Sequence, residues 1–171
     1  MYYSVIKNCD IADGPGVRVT LFVSGCTHHC EGCFNPETWN FQYGAPFTGE
    51  TADEIMEALS PDYIAGLTLL GGEPLEDGNR QALLPLLRAV RKKYPQKTVW
   101  CYTGYLFETD ILENFCAQWE GMKEFLSYAD VIVDGEFVQA EKNISLRFRG
   151  SENQRIIDVH ASLQQGKTVL W

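Results

Sequence analysis

The chain has no run of 18 apolar residues, so no helix in it is expected to cross a membrane. Its opening stretch, MYYSVIKNCDIADGPG, lacks a basic segment followed by an apolar core. A secretory signal is therefore not expected, and the chain reads as cytoplasmic. Positive charge is scarce: 14 Lys and Arg stand against 23 Asp and Glu, a net charge of −9. A general nucleic-acid binder needs a basic footprint, and that class is set aside. Two local basic stretches remain, RAVRKKYPQK (88–97) and LRFRG (146–150), and the first reads as a solvated helix end. Repeats, low-complexity tracts and a clear linker are absent as well. A length of 171 residues with 22% charged residues fits one globular domain, 1–171.

What is present alternates. RVTLFVSG (18–25), LTLLGG (67–72), KTVWCYTG (97–104) and ADVIVDG (129–135) read as buried strands, with QRIIDV (154–159) as a fifth. TADEIMEALS (51–60) reads as a helix capped by Thr51, with Ile55, Met56 and Leu59 on one face. NRQALLPLLRAVRKKY (79–94) is helical with Leu83, Leu84, Leu87 and Val90 inward, and Pro85 is expected to start or kink it. A helical region covers 108–128. Strands about 30 residues apart imply βαβ units and a mostly parallel α/β sheet. A closed eight-unit barrel needs roughly 250 residues. An open partial (β/α) barrel is therefore expected, with the cysteine loop after its first strand and a doubly wound sheet as the alternative. The unusual polar segments all fall at strand C-terminal ends, the edge that carries active sites in such folds.

SGCTHHCEGCFN (24–35) places Cys26, Cys30 and Cys33 in a C-x3-C-x2-C pattern. Thiols stay reduced in the cytosol, so clustered cysteines there suggest metal or catalysis rather than disulfides. Zinc would need a fourth ligand, His28 or His29, all from one short loop, because Cys9, Cys101 and Cys116 stand alone and read as neutral thiols. A cubane iron–sulfur cluster would be left with one open iron. A thiol oxidoreductase would use Cys30 and Cys33 alone. The residues by themselves leave all three open.

The C-x3-C-x2-C loop after one strand and GGEP (71–74) after the next resemble the radical S-adenosylmethionine enzymes. That resemblance implies a 4Fe–4S cluster on Cys26, Cys30 and Cys33, with the methionyl amine and carboxylate of S-adenosylmethionine on the fourth iron. It also implies reductive cleavage to a 5′-deoxyadenosyl radical. Many members carry an aromatic residue just before the third cysteine. Here that position is Gly32, and Phe34 follows instead; Gly32, Cys33 and Phe34 are expected to border the adenine. Gly71, Gly72 and Glu73 are expected at the methionyl amine, with Pro74 stiffening the turn. DGPGVR (13–18) before the loop is similar to the glycyl-radical-enzyme activases, which take a hydrogen from a partner's backbone glycine.

WCYTGY (100–105), VIVDGEFV (131–138) and LRFRGSENQRIID (146–158) are similar to the subgroup acting on anaerobic (class III) ribonucleoside-triphosphate reductase. The implied partners are that reductase, through its glycine loop, and a flavodoxin or ferredoxin-type reductant. A pyruvate formate-lyase type of activase is the neighbouring alternative. Thr103 and Asp134 match positions where related activases bind a monovalent cation, although Tyr102 stands where the pyruvate formate-lyase type has aspartate. Asp13 and Arg18 are expected to order the loop or the partner's glycine segment.

Overall fold

Two strands, not one, precede the cysteine loop in the computed structural model, which describes residues 1–171. β1 (Tyr2–Asp10) and β2 (Val17–Ser24) form an antiparallel hairpin around the Asp-Gly-Pro-Gly turn. β1 is half-exposed and lacks an apolar run, so its sequence carries little strand signal. The two-residue β3 (Ala45–Pro46) pairs with its outer side. The cysteine loop therefore follows the second strand, which corrects the expected placement after the first.

α1 (Gly49–Ala58) starts one turn earlier than the sequence suggests. Thr48 is its N-cap, and Thr51 occupies the third helical position in a reciprocal capping arrangement. β4 (Ile64–Gly71) leads to α2 (Asp77–Lys93), whose basic last turn, Arg91 to Lys93, suits the helix dipole. α2 runs through Pro85, because Leu83, Leu84, Leu87 and Val90 bury a stripe that offsets the missing hydrogen bond. β5 (Thr98–Tyr102) follows. The region after it is not one helix. Phe107–Phe115 is a π-helix, with the Ile111 amide donating to the Leu106 carbonyl, and it continues into the short α3 (Cys116–Gln118) and, beyond a break, α4 (Gly121–Tyr128). β6 (Val131–Asp134), β7 (Arg155–Asp158) and α5 (Val159–Gln165) complete the chain.

The strand order is β3-β1-β2-β4-β5-β6-β7. β2, β4, β5 and β6 are parallel, and β7 is antiparallel to β6. The sheet is open, with β3 and β7 at its edges. The parallel strands advance in one direction, and right-handed crossovers then place every connecting helix on one face. A doubly wound sheet would need a reversal of order among the parallel strands, and β2, β4, β5 and β6 show none.

The helix face is apolar: Val19, Leu21, Val23, Leu67, Leu69, Val99, Cys101 and Ile132 pack against α1, α2 and α4 residues such as Ile55, Leu83, Leu87 and Phe125. The opposite face carries Arg18, Thr20, Thr68, Thr98, Trp100 and Tyr102 and is polar at its centre. There Arg18 is fully buried under Trp100, which in turn meets Phe148 and Trp171 edge-on. The register pairs Val23 with Gly71, Leu69 with Cys101 and Tyr102 with Val133. The C-terminal ends of β2, β4, β5 and β6 therefore lie side by side.

The basic stretch at 88–97 is only partly solvated. Arg91 donates to Asp130 and the Tyr128 carbonyl, and the buried Lys97 ammonium donates to the carbonyls of Pro61 and Ile64. Lys92 and Lys93 are exposed, as a solvated end requires. No helix is long and apolar enough to cross a membrane.

Candidate functional site

The aligned strand ends join the cysteine loop to the GGEP turn through backbone. Gly72 N donates to the Val23 carbonyl at 2.7 Å, and Glu73 N to the Gly25 carbonyl at 2.8 Å. Asn79, buried at the start of α2, donates its side-chain amide to the carbonyls of both Ser24 and Glu73. A Cβ on Gly72 would stand 2.6 Å from the Gly25 carbonyl oxygen. Glycine is thus required there by the chain's own loop, whatever occupies the cavity.

Beside this junction lies a cavity of about 470 Å³. Cys26, Cys30, Gly32, Cys33 and Phe34 line it from the cysteine loop, Gly71, Gly72 and Glu73 from the turn after β4, and Tyr102 and Thr103 from the end of β5. Asp13 reaches it from the β1–β2 loop. Phe34 is 76% exposed and so is not core packing, and its ring is free to cover a ligand. The far wall comes from the segment between β6 and β7, where Lys142, Ile144 and Arg149 line the cavity. That wall is built on a polar turn: the Gln154 side chain accepts from the Gly150 and Ser151 amides and donates to the Gly135 carbonyl.

Asp134, Arg18 and Pro74, all singled out in the sequence, are not part of the cavity lining. Asp134 is fully buried and does not line the cavity. Arg155 donates to both of its carboxylate oxygens, and the Phe107 amide adds a third bond at 2.9 Å. Its charge is already matched by a guanidinium. Arg155 also grips Glu108, whose pKa falls to about 2, chiefly through that contact. Thr103 does line the cavity, and its hydroxyl accepts from the Tyr105 amide at 3.1 Å. Arg18 sits below the cavity and supports the Asp13 loop. Pro74 is buried in the turn.

Glu73 is 1% exposed and both of its carboxylate oxygens are engaged. Oε1 accepts from the Leu75 amide and Oε2 from the Gly104 amide, each at 2.8 Å. His28 Nε2 lies 3.2 Å from Oε2, off the line of a good hydrogen bond, while His28 Nδ1 is 2.7 Å from Glu136. Burial alone would lower the His28 pKa, but the two carboxylates hold it at about 9. His29 stacks edge-on against Trp39. Burial pushes the Cys26 thiol up to about 12 and raises that of Cys30.

These features test the donor set. No three His, Cys, Asp or Glu side chains converge as a single metal ion would demand, and a structural zinc needs four donors at one ion. Thiolates that wrap a cluster bind separate irons and need only surround a shared space, which the three cavity-lining cysteines do. A dithiol redox pair calls for a depressed thiol, and Cys30 is shifted the other way. The Tyr102 hydroxyl, in the cavity wall, is buried and has no hydrogen-bond partner within the chain. Asn79, Glu136 and the wall between β6 and β7 carry no site signal in sequence, because only the strand register brings them to the cysteine loop.

Comparison with known proteins points to an iron–sulfur cluster. The family described as a 4Fe–4S single cluster domain matches residues 12–157. The anaerobic ribonucleoside-triphosphate reductase-activating protein of Enterobacteria phage T4 is 46% identical over 158 residues, covering 91% of this chain and 93% of that protein. Proteins of the same name from Vibrio cholerae and Escherichia coli K12 are 40% and 42% identical, over 91% and 90% of this chain and 97% and 93% of their own lengths. With the cysteine loop, the GGEP turn and this breadth of identity in hand, the chain belongs to the family of anaerobic ribonucleoside-triphosphate reductase-activating proteins that carry a single 4Fe–4S cluster domain.

Proposed function

We propose that the chain is a radical S-adenosylmethionine enzyme that installs a glycyl radical on anaerobic ribonucleoside-triphosphate reductase. The observation that carries this reading is the meeting of Cys26, Cys30 and Cys33 with Gly71, Gly72 and the exposed Phe34 around one cavity. The bound 4Fe–4S cluster and S-adenosylmethionine would supply one-electron cleavage of the S–C5′ bond, giving a 5′-deoxyadenosyl radical that takes hydrogen from a partner glycine. Cys26, Cys30 and Cys33 would hold the cluster as thiolates, the iron charge offsetting the burial that raises the Cys26 and Cys30 thiols.

Gly71 and Gly72 present backbone to the methionyl amine. The Glu73 side chain does not reach for the cofactor in this reading. It is spent on the Leu75 and Gly104 amides and fixes the turn. Gly32, Cys33 and Phe34 border the adenine, and Phe34 helps to keep water from the reacting carbon.

The sequential parallel order, with helices on one face, suits an open partial (β/α) barrel whose free side admits a peptide loop from a large partner. A flavodoxin or ferredoxin-type protein supplies the electron. The test is anaerobic reconstitution, iron and sulfide analysis, and electron paramagnetic resonance after dithionite reduction, with and without S-adenosylmethionine. A reduced-cluster signal that changes shape with the cofactor, followed by a glycine-centred signal on the reductase, is expected. One zinc per chain with no iron uptake would overturn the reading.

A further inference from the structure

His28 lies between the first two cysteines of the loop and lines the same cavity, yet its ring nitrogens meet carboxylates of other loops. Nδ1 is 2.7 Å from Glu136 on the segment after β6, and Nε2 is 3.2 Å from Glu73 on the turn after β4. The ring packs edge-on against Tyr105 with centroids 4.5 Å apart, and its side chain is only 10% exposed. The fit is close: a Cβ on Gly104 would stand 2.6 Å from His28 Nε2. The neighbouring Thr27 adds a parallel tie, its amide and hydroxyl both donating to Glu76 Oε1. The loop that carries the three cysteines is thus fastened by consecutive side chains to both ends of the Glu73–Glu76 turn. One of them, His28, also reaches across to the far wall.

We propose that His28 is a positioning residue that holds the GGEP turn in register with the cysteine loop, and so sets how tightly the methionyl end of S-adenosylmethionine is held at the cluster. This rests on the function proposed above. The geometry separates His28 from the ligands it sits among, since Nδ1 bonds Glu136 at 2.7 Å and Nε2 faces Glu73 Oε2 at 3.2 Å as a charge contact rather than an aligned hydrogen bond. It also separates Glu73 from direct duty at the cofactor. Each Glu73 carboxylate oxygen already accepts a backbone amide, which ties it to holding Gly71 and Gly72 in place, and His28 braces it from the cysteine side. Glu136 anchors the other end of the ring, and its side chain is 56% exposed.

The test uses the full chain, reconstituted anaerobically, as parent, His28→Gln and Glu136→Gln. Iron and sulfide per chain are measured first, and the reduced-cluster resonance is then titrated with S-adenosylmethionine. His28→Gln should keep the parent's iron content and its cofactor-free signal, while the concentration giving half the spectral change rises about tenfold, as for loss of a residue that orients metal-site groups. Glu136→Gln leaves the Glu73 contact in place and should shift the midpoint by a smaller factor, about two- to fivefold. Loss of iron in His28→Gln would make it a ligand or a scaffold for the cysteines and overturn the proposal, as would a titration identical to the parent's. If His28→Gln does not fold, Glu136→Gln at the exposed end decides the matter, and a parent-like midpoint there overturns the brace. A parent chain with a cluster but no cofactor-dependent change would instead sink the proposed function, and this inference with it.

Discussion

Arg18 Nε donates to Thr68 Oγ1 at 2.7 Å, and Thr68 Oγ1 in turn donates to the Asp13 carbonyl at 2.9 Å. This relay explains much of the Asp-Gly-Pro-Gly-Val-Arg stretch. The guanidinium also donates to the carbonyls of Leu67 and Thr98 and to Thr98 Oγ1. A Cβ on Gly14 would meet Arg18 Cδ at 2.8 Å. The motif is first a device for folding the β1–β2 loop under the sheet, and through that it places Asp13 at the cavity.

Replacing Arg18 with methionine keeps much of the volume but strands several buried acceptors. A loss of about 2–4 kcal/mol is expected in urea unfolding of the apo chain at pH 7. An unchanged midpoint would mean that water takes over the acceptors.

Asp13 gives a pH dependence of definite sign. Burial, aided by the hydrogen bond and charge of Asp10, raises its pKa from the ordinary carboxylate value to about 7. A folded pKa above the unfolded one means that folding holds a proton. The stabilisation is complete below about pH 4 and is lost as pH rises to about 7. Asp13→Asn fixes the neutral form. Its stability relative to the parent should therefore improve between pH 5 and pH 8, by on the order of 1 kcal/mol. Urea midpoints of both proteins at the two pH values test this, and a constant difference would show that Asp13 ionises normally.

The Arg155–Asp134 pair predicts coupling. Arg155→Met strands the fully buried Asp134 carboxylate. Discounted for the one-third exposure of Arg155, the expected cost is about 2 kcal/mol. Asp134→Asn in the same chain should recover part of that. A double-mutant cycle by thermal melting measures it, and additive costs would count against the pair.

Five of the six cysteines should sort cleanly. Serine at Cys26, Cys30 or Cys33 should each remove most of the iron after reconstitution. Serine at the exposed Cys9 or the half-buried Cys116 should leave iron at the parent's level. Iron and sulfide analysis decides, and full iron in any of the first three variants would remove that residue from the ligand set.

The legible parts of the fold were those with strong local signals. The β-branched runs of β2, β4 and β6 and the leucine stripe of α2 bury apolar surface, and burial leaves a pattern in sequence. β1, half-exposed and mixed in polarity beside the sheet edge, carries no such pattern. Pro85 suggested a kink that tertiary packing overrides. The π-helical turn at Phe107–Phe115 is a hydrogen-bond shift of one residue and has no compositional mark of its own.

The sequence by itself determined the chemistry at close range: three thiols within eight residues, and a Gly-Gly-Glu-Pro turn following the next strand of the β/α alternation. Those are local facts, fixed by spacing along the chain. Only the tertiary structure decided which groups face them. Glu73 and Glu136 reach His28 from positions 45 and 108 residues away, and Arg155 reaches Asp134 from 21 residues away. Strand register sets those meetings, and register follows from packing a whole sheet against its helices, which no short stretch of sequence encodes.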